Sequence, residues 1–256
     1  MQIATWNVNS LKVRLPQVLD WLAARPALTV LALQETKLED NAFPREELAA
    51  AGFHVAYTGQ KTYNGVALIS RLPLEDVVLA LPDFVDPQKR LIAATVGGVR
   101  VVGGYFPNGQ SLDSDKYLYK LSWLDALLSW LPGELARYPK LALVGDYNIA
   151  PEDRDVHDPA KWVGEVLVSP EERRRFQQLL DLGLVDSFRL FEQAEQSFSW
   201  WDYRAAGFRR NAGLRIDHIL LSPALRDLCR SCEIDKVPRH AERPSDHAPV
   251  IATLDI

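Results

Sequence analysis

Leu141-Ala142-Leu143-Val144-Gly145-Asp146-Tyr147-Asn148-Ile149-Ala150-Pro151 is an apolar run broken abruptly by a carboxylate and an amide. A short apolar run without alternation reads as a strand buried on both faces. The same construction recurs along the chain. Ile3-Ala4-Thr5-Trp6 ends in Asn7, Leu31-Ala32-Leu33 in Gln34-Glu35, and Val101-Val102-Gly103-Gly104 in Tyr105. Arg215-Ile216 leads into Asp217, and Ser245-Asp246-His247 immediately precedes a last apolar run, Val250 to Leu254. One polar residue at a strand end is ordinary capping. Six strands that each place an amide, carboxylate, phenol or imidazole at one end point to a single site.

The segments between these strands set the fold class. Ser10 to Ala24, Tyr117 to Leu131 and Glu171 to Leu182 carry apolar residues at helical spacing, with Ser169 as N-cap and Pro170 at the first position of the third. Val66 to Ile69, Leu91 to Val96 and Val99 to Gly104 add β-branched strands, with Gly97-Gly98 as a hairpin turn. Many strands with a few helices between them predict an α+β arrangement of two packed sheets with helices outside. No linker or short repeat divides residues 1–256, so one domain is expected.

Composition is that of a globular protein, 47% hydrophobic and 25% charged, with a formal net charge of -5. An acidic total weighs mildly against nucleic-acid binding, but a site built from carboxylates lowers the sum, and basic residues are grouped. Arg173, Arg174 and Arg175 form one group; Arg204, Arg209, Arg210 and Arg215 form another. Solvated surface is the plain reading of either run. Cys229 and Cys232 lack a second ligand pair and read as inert thiols in a helix. Sparse cysteine, no basic start before an apolar run and no membrane-length apolar stretch predict a soluble, cytoplasmic protein, expected to be a monomer.

Glu35, Asp146, Asp217 and Asp246 would repel one another strongly if they converged without a cation. Hard oxygen donors select magnesium, with manganese as substitute, over zinc. Such an ion binds a phosphate oxygen and stabilises charge at phosphorus and on the leaving oxygen. His247, with Asp217 available to orient it, suits an imidazole facing phosphate. Asn7, Asn148 and Tyr105 supply donors for phosphoryl oxygens or attacking water.

The motifs Thr5-Trp6-Asn7-Val8-Asn9-Ser10, Leu33-Gln34-Glu35-Thr36-Lys37, Gly145 to Pro151, Leu214-Arg215-Ile216-Asp217 and Ser245 to Val250 resemble exonuclease III and related apurinic/apyrimidinic endonucleases, within the endonuclease/exonuclease/phosphatase superfamily. The resemblance spans residues 3 to 254. Tyr105 to Gly109, Phe198 to Tyr203 and Leu214 to Asp217 narrow it to the DNA-repair branch.

It implies a four-layer sandwich of two mixed sheets flanked by helices. Glu35 would be the principal metal ligand and Asp146 the residue that orients or deprotonates water. Asn7 and Asn148 would position water, metal and phosphate, and Asp246 would support a metal position. Tyr105 would contact the scissile phosphate or assist the leaving group, and Asp217 would orient His247. Trp200 would line a pocket for a sugar without a base, with its neighbour Trp201 sent to the opposite face and into the core.

The resemblance implies DNA contact by Arg90, Asn108, Lys116, Trp200 and Leu214, and extends it to Tyr117 and Lys120; plain helix surface is the other reading of Lys116, Tyr117 and Lys120. His218 reads as structural, and His54, His157 and His240 carry no signal. Tyr147 stands where the family often has Phe, so its hydroxyl needs a partner. Asn64, before Gly65, has no role assigned by the resemblance.

The implied partner is duplex DNA with abasic sites or 3′ ends. Cleavage 5′ of an abasic site, 3′-5′ exonuclease and 3′-phosphatase activity all use one attack on a phosphate, and the residues leave all three open. A phosphodiesterase acting on a non-DNA ester would share Glu35, Asp146 and His247. A binding module on this scaffold would be expected to lack one of them.

Overall fold

Two strand–helix–strand crossovers organise the chain, and the computed structural model describes all 256 residues. The first is β1 (Gln2–Asn7), α1 (Leu11–Ala23) and β2 (Leu28–Gln34). After α2 (Arg45–Ala50) come β3 (His54–Thr58), β4 (Val66–Ser70), β5 (Glu75–Val78) and β6 (Leu91–Val96). The second crossover is β7 (Val99–Tyr105), α3 (Asp115–Arg137) and β8 (Leu141–Asp146). Then follow α4 (Pro170–Asp181), β9 (Val185–Asp186), β10 (Trp200–Trp201), β11 (Gly213–Leu214), β12 (Asp217–Leu221), α5 (Pro223–Arg226), β13 (Cys229–Ile234) and β14 (Val250–Leu254).

One six-stranded sheet has the order β13-β14-β1-β2-β4-β3, and the other β5-β6-β7-β8-β12-β9. β1 with β2 and β7 with β8 are parallel, and the remaining neighbours are antiparallel. The core between the sheets is built from Ile3, Val30, Leu68, Ile92, Val101, Val144 and Ile219, among others. α1 and α2 pack outside the first sheet through Leu11, Val18, Leu22 and Leu48. α3 and α4 cover the second through Trp123, Leu127, Leu131, Phe176 and Leu179. This is the expected four-layer sandwich of two mixed sheets.

The parallel pairs matter most for function. Parallel neighbours end on the same edge of a sheet. The register sets Asn7 beside Gln34, and Tyr105 beside Asp146. β12 runs antiparallel to β8 and starts where β8 ends, which puts Asp217 opposite Asp146. Gly145, at φ 151°, lies so close to the facing strand that an added Cβ would sit 2.0 Å from the Gly104 carbonyl oxygen. A larger residue there would push β8 away from β7.

Local signals behaved as their chemistry requires. The Ser169 hydroxyl accepts the Glu172 N–H and the Glu172 carboxylate accepts the Ser169 N–H, closing a capping box in front of Pro170. Gly97 and Gly98 both have positive φ, as a two-residue hairpin turn demands. The Tyr147 hydroxyl donates to the Leu143 carbonyl at 2.9 Å. Cys229 and Cys232 correct the helical reading. The helix stops at Arg226, and both thiols lie on β13. A bulge between Cys229 and Ser231 brings them both into the inter-sheet core. Burial pushes the Cys232 thiol pKa up, as an inert thiol requires.

Candidate active site

Asn7, at the end of β1, is the bridge on which the site is built. Its amide nitrogen donates to Glu35 Oε1 at 2.8 Å and to Asp146 Oδ2 at 2.9 Å. Its oxygen accepts the Asn9 N–H at 2.9 Å. Asn7 therefore acts as a donor between two carboxylates, with its oxygen engaged by the Asn9 N–H. Glu35 follows β2 in a left-handed turn, φ 52°. The Lys37 ammonium lies 2.8 Å from its other oxygen.

Asp146 closes β8, and its Oδ1 accepts the Asn148 N–H at 2.9 Å. This is the Asx-type turn its spacing suggests, with Asn148 at φ 49°. Burial lifts the Asp146 carboxyl well above the ordinary carboxylate range; Asp217 and Glu35 add to the rise, while His247 and Asn7 oppose it. The Asn148 amide is held by the Phe106 carbonyl at 3.0 Å and by Asn108 Nδ2 at 3.1 Å.

His247 Nδ1 lies 2.9 Å from Asp217 Oδ2, and Nε2 lies 3.7 Å from Asp146 Oδ2. Burial alone would strip the ring of its proton. The charges of Asp217 and Asp146 outweigh it and raise the imidazole pKa above its ordinary value. Asp217 is itself fixed by the Ser199 hydroxyl at 2.7 Å. The Tyr105 phenol pKa is raised by burial and by the nearby charges of Glu35 and Asp146, so the phenol stays a proton donor.

Ligand atoms of Glu35, Asp146 and His247 lie within 4.8 Å of one another. Glu35 and Asp146 supply the oxygens that could hold a metal, while His247 is engaged through Nδ1 with Asp217. Hard oxygens in that number fit a divalent cation that keeps waters and takes phosphate as a further ligand. Asp217 and Asp246 stand near this pair but outside the group whose atoms lie close enough to share one ion. Asp217 is spent on His247 and Ser199. Asp246 accepts from Asn9 Nδ2 and Trp200 Nε1, both at 3.0 Å, and lies outside the metal-holding group.

The group forms the floor of a cleft of about 800 Å³, whose walls include Trp162, Leu167, Trp200, Arg210 and Ile216. A family model described as endonuclease/exonuclease/phosphatase matches residues 4–247. The chain belongs to the endonuclease/exonuclease/phosphatase family. It is 38% identical to exodeoxyribonuclease III of Haemophilus influenzae, over 98% of this chain and 99% of the relative. A 3′ phosphatase from Neisseria, solved with a product DNA hairpin, superposes with a TM-score of 0.98 at 50% identity, covering all of both chains. An AP endonuclease from Archaeoglobus fulgidus does so at 0.96 and 40%, again over all of both chains.

Of the residues expected to meet DNA, this family member places Asn108 and Trp200 on the cleft. Trp201 points the other way, into a cluster with Phe198 and Ala248. Lys116 is exposed on α3, outside the cleft lining. Arg90 is half-buried, with its guanidinium 4.7 Å above the Tyr105 ring. Leu214 is corrected: β11 turns it inward, fully buried with Val156 and Ile216, where it meets no surface.

Tyr117 and Lys120 also face inward. Lys120 pairs with buried Glu172 and donates to the carbonyls of Asn108 and Asn148 at 3.2 and 2.7 Å. Arg173, Arg174 and Arg175 are all paired with carboxylates, and Arg215 is buried against Asp155 and Asp186. Arg210, from the second basic group, lines the cleft, and the sequence reading missed His157 and Trp162, which line it too. No local motif marks them, because loops distant in sequence carry them there.

Proposed function

We propose that this chain is a metal-dependent DNA phosphodiesterase of base-excision repair, acting on abasic duplex and at 3′ termini. The observation that carries the reading is Asp146 and His247 facing each other beside Glu35, with Asp217 behind the imidazole. A general base, a phosphate-facing imidazolium and a metal-holding carboxylate are the parts that in-line attack on phosphorus requires. The named relatives, an exodeoxyribonuclease, a 3′ phosphatase and an AP endonuclease, support DNA as the substrate.

Asp146, whose proton affinity is raised by burial, orients attacking water and takes its proton. Imidazolium His247 donates to a phosphate oxygen. The Tyr105 phenol donates to the phosphate or the leaving oxygen. Asn148 shapes the water position beside Asp146. Magnesium, held by Glu35 with Asp146 nearby, would supply charge neutralisation at the phosphate when bound. Trp200 and Leu167 form an apolar wall suited to a sugar that has lost its base.

The test uses duplexes with an abasic analogue, a recessed 3′ end or a 3′-phosphate, assayed in parallel with magnesium. Cleavage of at least one is expected. Asp146→Asn should lower turnover by about a hundredfold or more while changing duplex affinity far less. Activity confined to small non-DNA phosphate esters would overturn the assignment.

A further inference from the structure

We propose that Asn64 is a positioning residue for Tyr105, acting through Gln88 and Arg90; this rests on the role given to Tyr105 above. Asn64 is 7% exposed and sits at φ 54°. Its amide nitrogen donates to Gln60 Oε1 at 3.1 Å and to Gln88 Oε1 at 3.3 Å. The same Gln88 oxygen accepts Arg90 Nε at 2.9 Å. Arg90 in turn donates to the Tyr105 carbonyl at 3.1 Å and accepts the Tyr105 N–H at its own carbonyl at 2.7 Å. Its guanidinium covers the Tyr105 ring.

Gln88 is the joint of this chain of contacts. An arginine side chain loses much rotational freedom when pinned over one ring, so a fixed acceptor is needed to hold it. Gln88 is that acceptor, and Asn64 and the Asp86 carboxylate hold its segment: the Gln88 N–H bonds Asp86 Oδ1 at 2.8 Å. Asn64 also faces the metal-holding side. Its carbonyl accepts the Lys37 N–H at 2.9 Å, two residues beyond Glu35. One residue thus touches both the turn that carries Glu35 and the side-chain relay that ends on Tyr105.

The positive φ makes the side chain separable from the backbone. Glycine accepts this conformation freely, so Asn64→Gly should keep the carbonyl bond to Lys37 and lose only the amide contacts. Gln88→Met breaks the next joint at a half-buried position of similar volume, and carries the same test should Asn64→Gly fold poorly.

The experiment measures single-turnover rates and duplex affinity on one abasic-analogue or 3′-phosphate duplex with magnesium. Proteins compared are wild type, Asn64→Gly, Gln88→Met, Tyr105→Phe and the double variants with Tyr105→Phe. A loosened phenol should cost about tenfold in rate with affinity nearly unchanged, because misplacement acts on the reacting geometry. In the Tyr105→Phe background neither change should cost more, since residues acting as a unit are non-additive. Wild-type rates for both Asn64→Gly and Gln88→Met would overturn the proposal, and so would losses that multiply with Tyr105→Phe. A wild-type rate for Tyr105→Phe alone would instead overturn the role of Tyr105, from which the proposal starts.

Discussion

His247 spans two buried carboxylates, with Asp217 2.9 Å from one ring nitrogen and Asp146 3.7 Å from the other. The only side chains Asp217 bonds are those of His247 and Ser199, so its bonded route to the cleft runs through the imidazole, while its charge also raises the Asp146 carboxyl. His247→Ala should cut turnover strongly with little loss of folding. Adding Asp217→Ala to it should cost little more, because the pair acts as a unit. Single-turnover rates on one abasic duplex check this. Fully multiplicative losses would separate the two residues.

Metal dependence can be read without activity. Excess chelator should abolish cleavage, and magnesium or manganese should restore it. Magnesium should also raise the melting temperature of the wild-type protein, since a ligand that binds only the folded state stabilises it by mass action. Glu35→Gln exchanges an anionic oxygen for a neutral one. It should keep the fold and lose most of that thermal shift. A shift equal to wild type would remove Glu35 from the metal site.

Salt dependence should single out one arginine. Arg210 lines the cleft and makes one long contact, to the Ala205 carbonyl at 3.4 Å. Arg174 is held by Glu171 at 2.8 Å, away from the cleft. Releasing one phosphate contact lowers the slope of log affinity against log salt by about 1. Arg210→Ala should show that change on an abasic-analogue duplex, and Arg174→Ala should leave the slope as it is. Equal slopes for both variants and wild type would mean that DNA does not run past Arg210.

His218 predicts how the fold responds to acid. Burial, helped by Arg215 and opposed by the carboxylates of Asp186 and Asp155, takes its pKa from 6.5 down to about 4. Its Nε2 meets the Ile149 carbonyl at 2.8 Å, and the Tyr147 and Phe176 rings pack edge-on. The unfolded chain therefore binds a proton more readily than the folded one. The contribution of this histidine is complete above pH 6.5 and is lost as pH falls towards 4, by about 3 kcal/mol in all. Urea unfolding at stepped pH should show that decline in the wild type. His218→Gln, which does not titrate, should flatten it; an unchanged decline would place the acid sensitivity elsewhere.

Sequence alone determined the central strands and the polar residues at their ends. Strands buried on both faces carry an unbroken apolar run, and a carboxylate or amide directly after it is conspicuous. Asn7, Glu35 and Asp146 were legible for that reason, and His247 because it stands just before such a run. In the two six-stranded sheets, the strands it missed, β3, β5, β9 and β13, are the four edges. An edge strand is partly solvated, so its composition resembles that of a loop. Tertiary structure alone decided what each charge faces. Asp246 reads along the chain as a metal support beside Glu35, yet its carboxylate accepts from an indole. Arg215 and Lys120 read as surface, but the link between β11 and β12 and helix α3 turn them inward onto carboxylates from distant segments. Those partners come from strand register and helix packing, which bring residues 50 to 60 positions apart into contact and which no local window of sequence records.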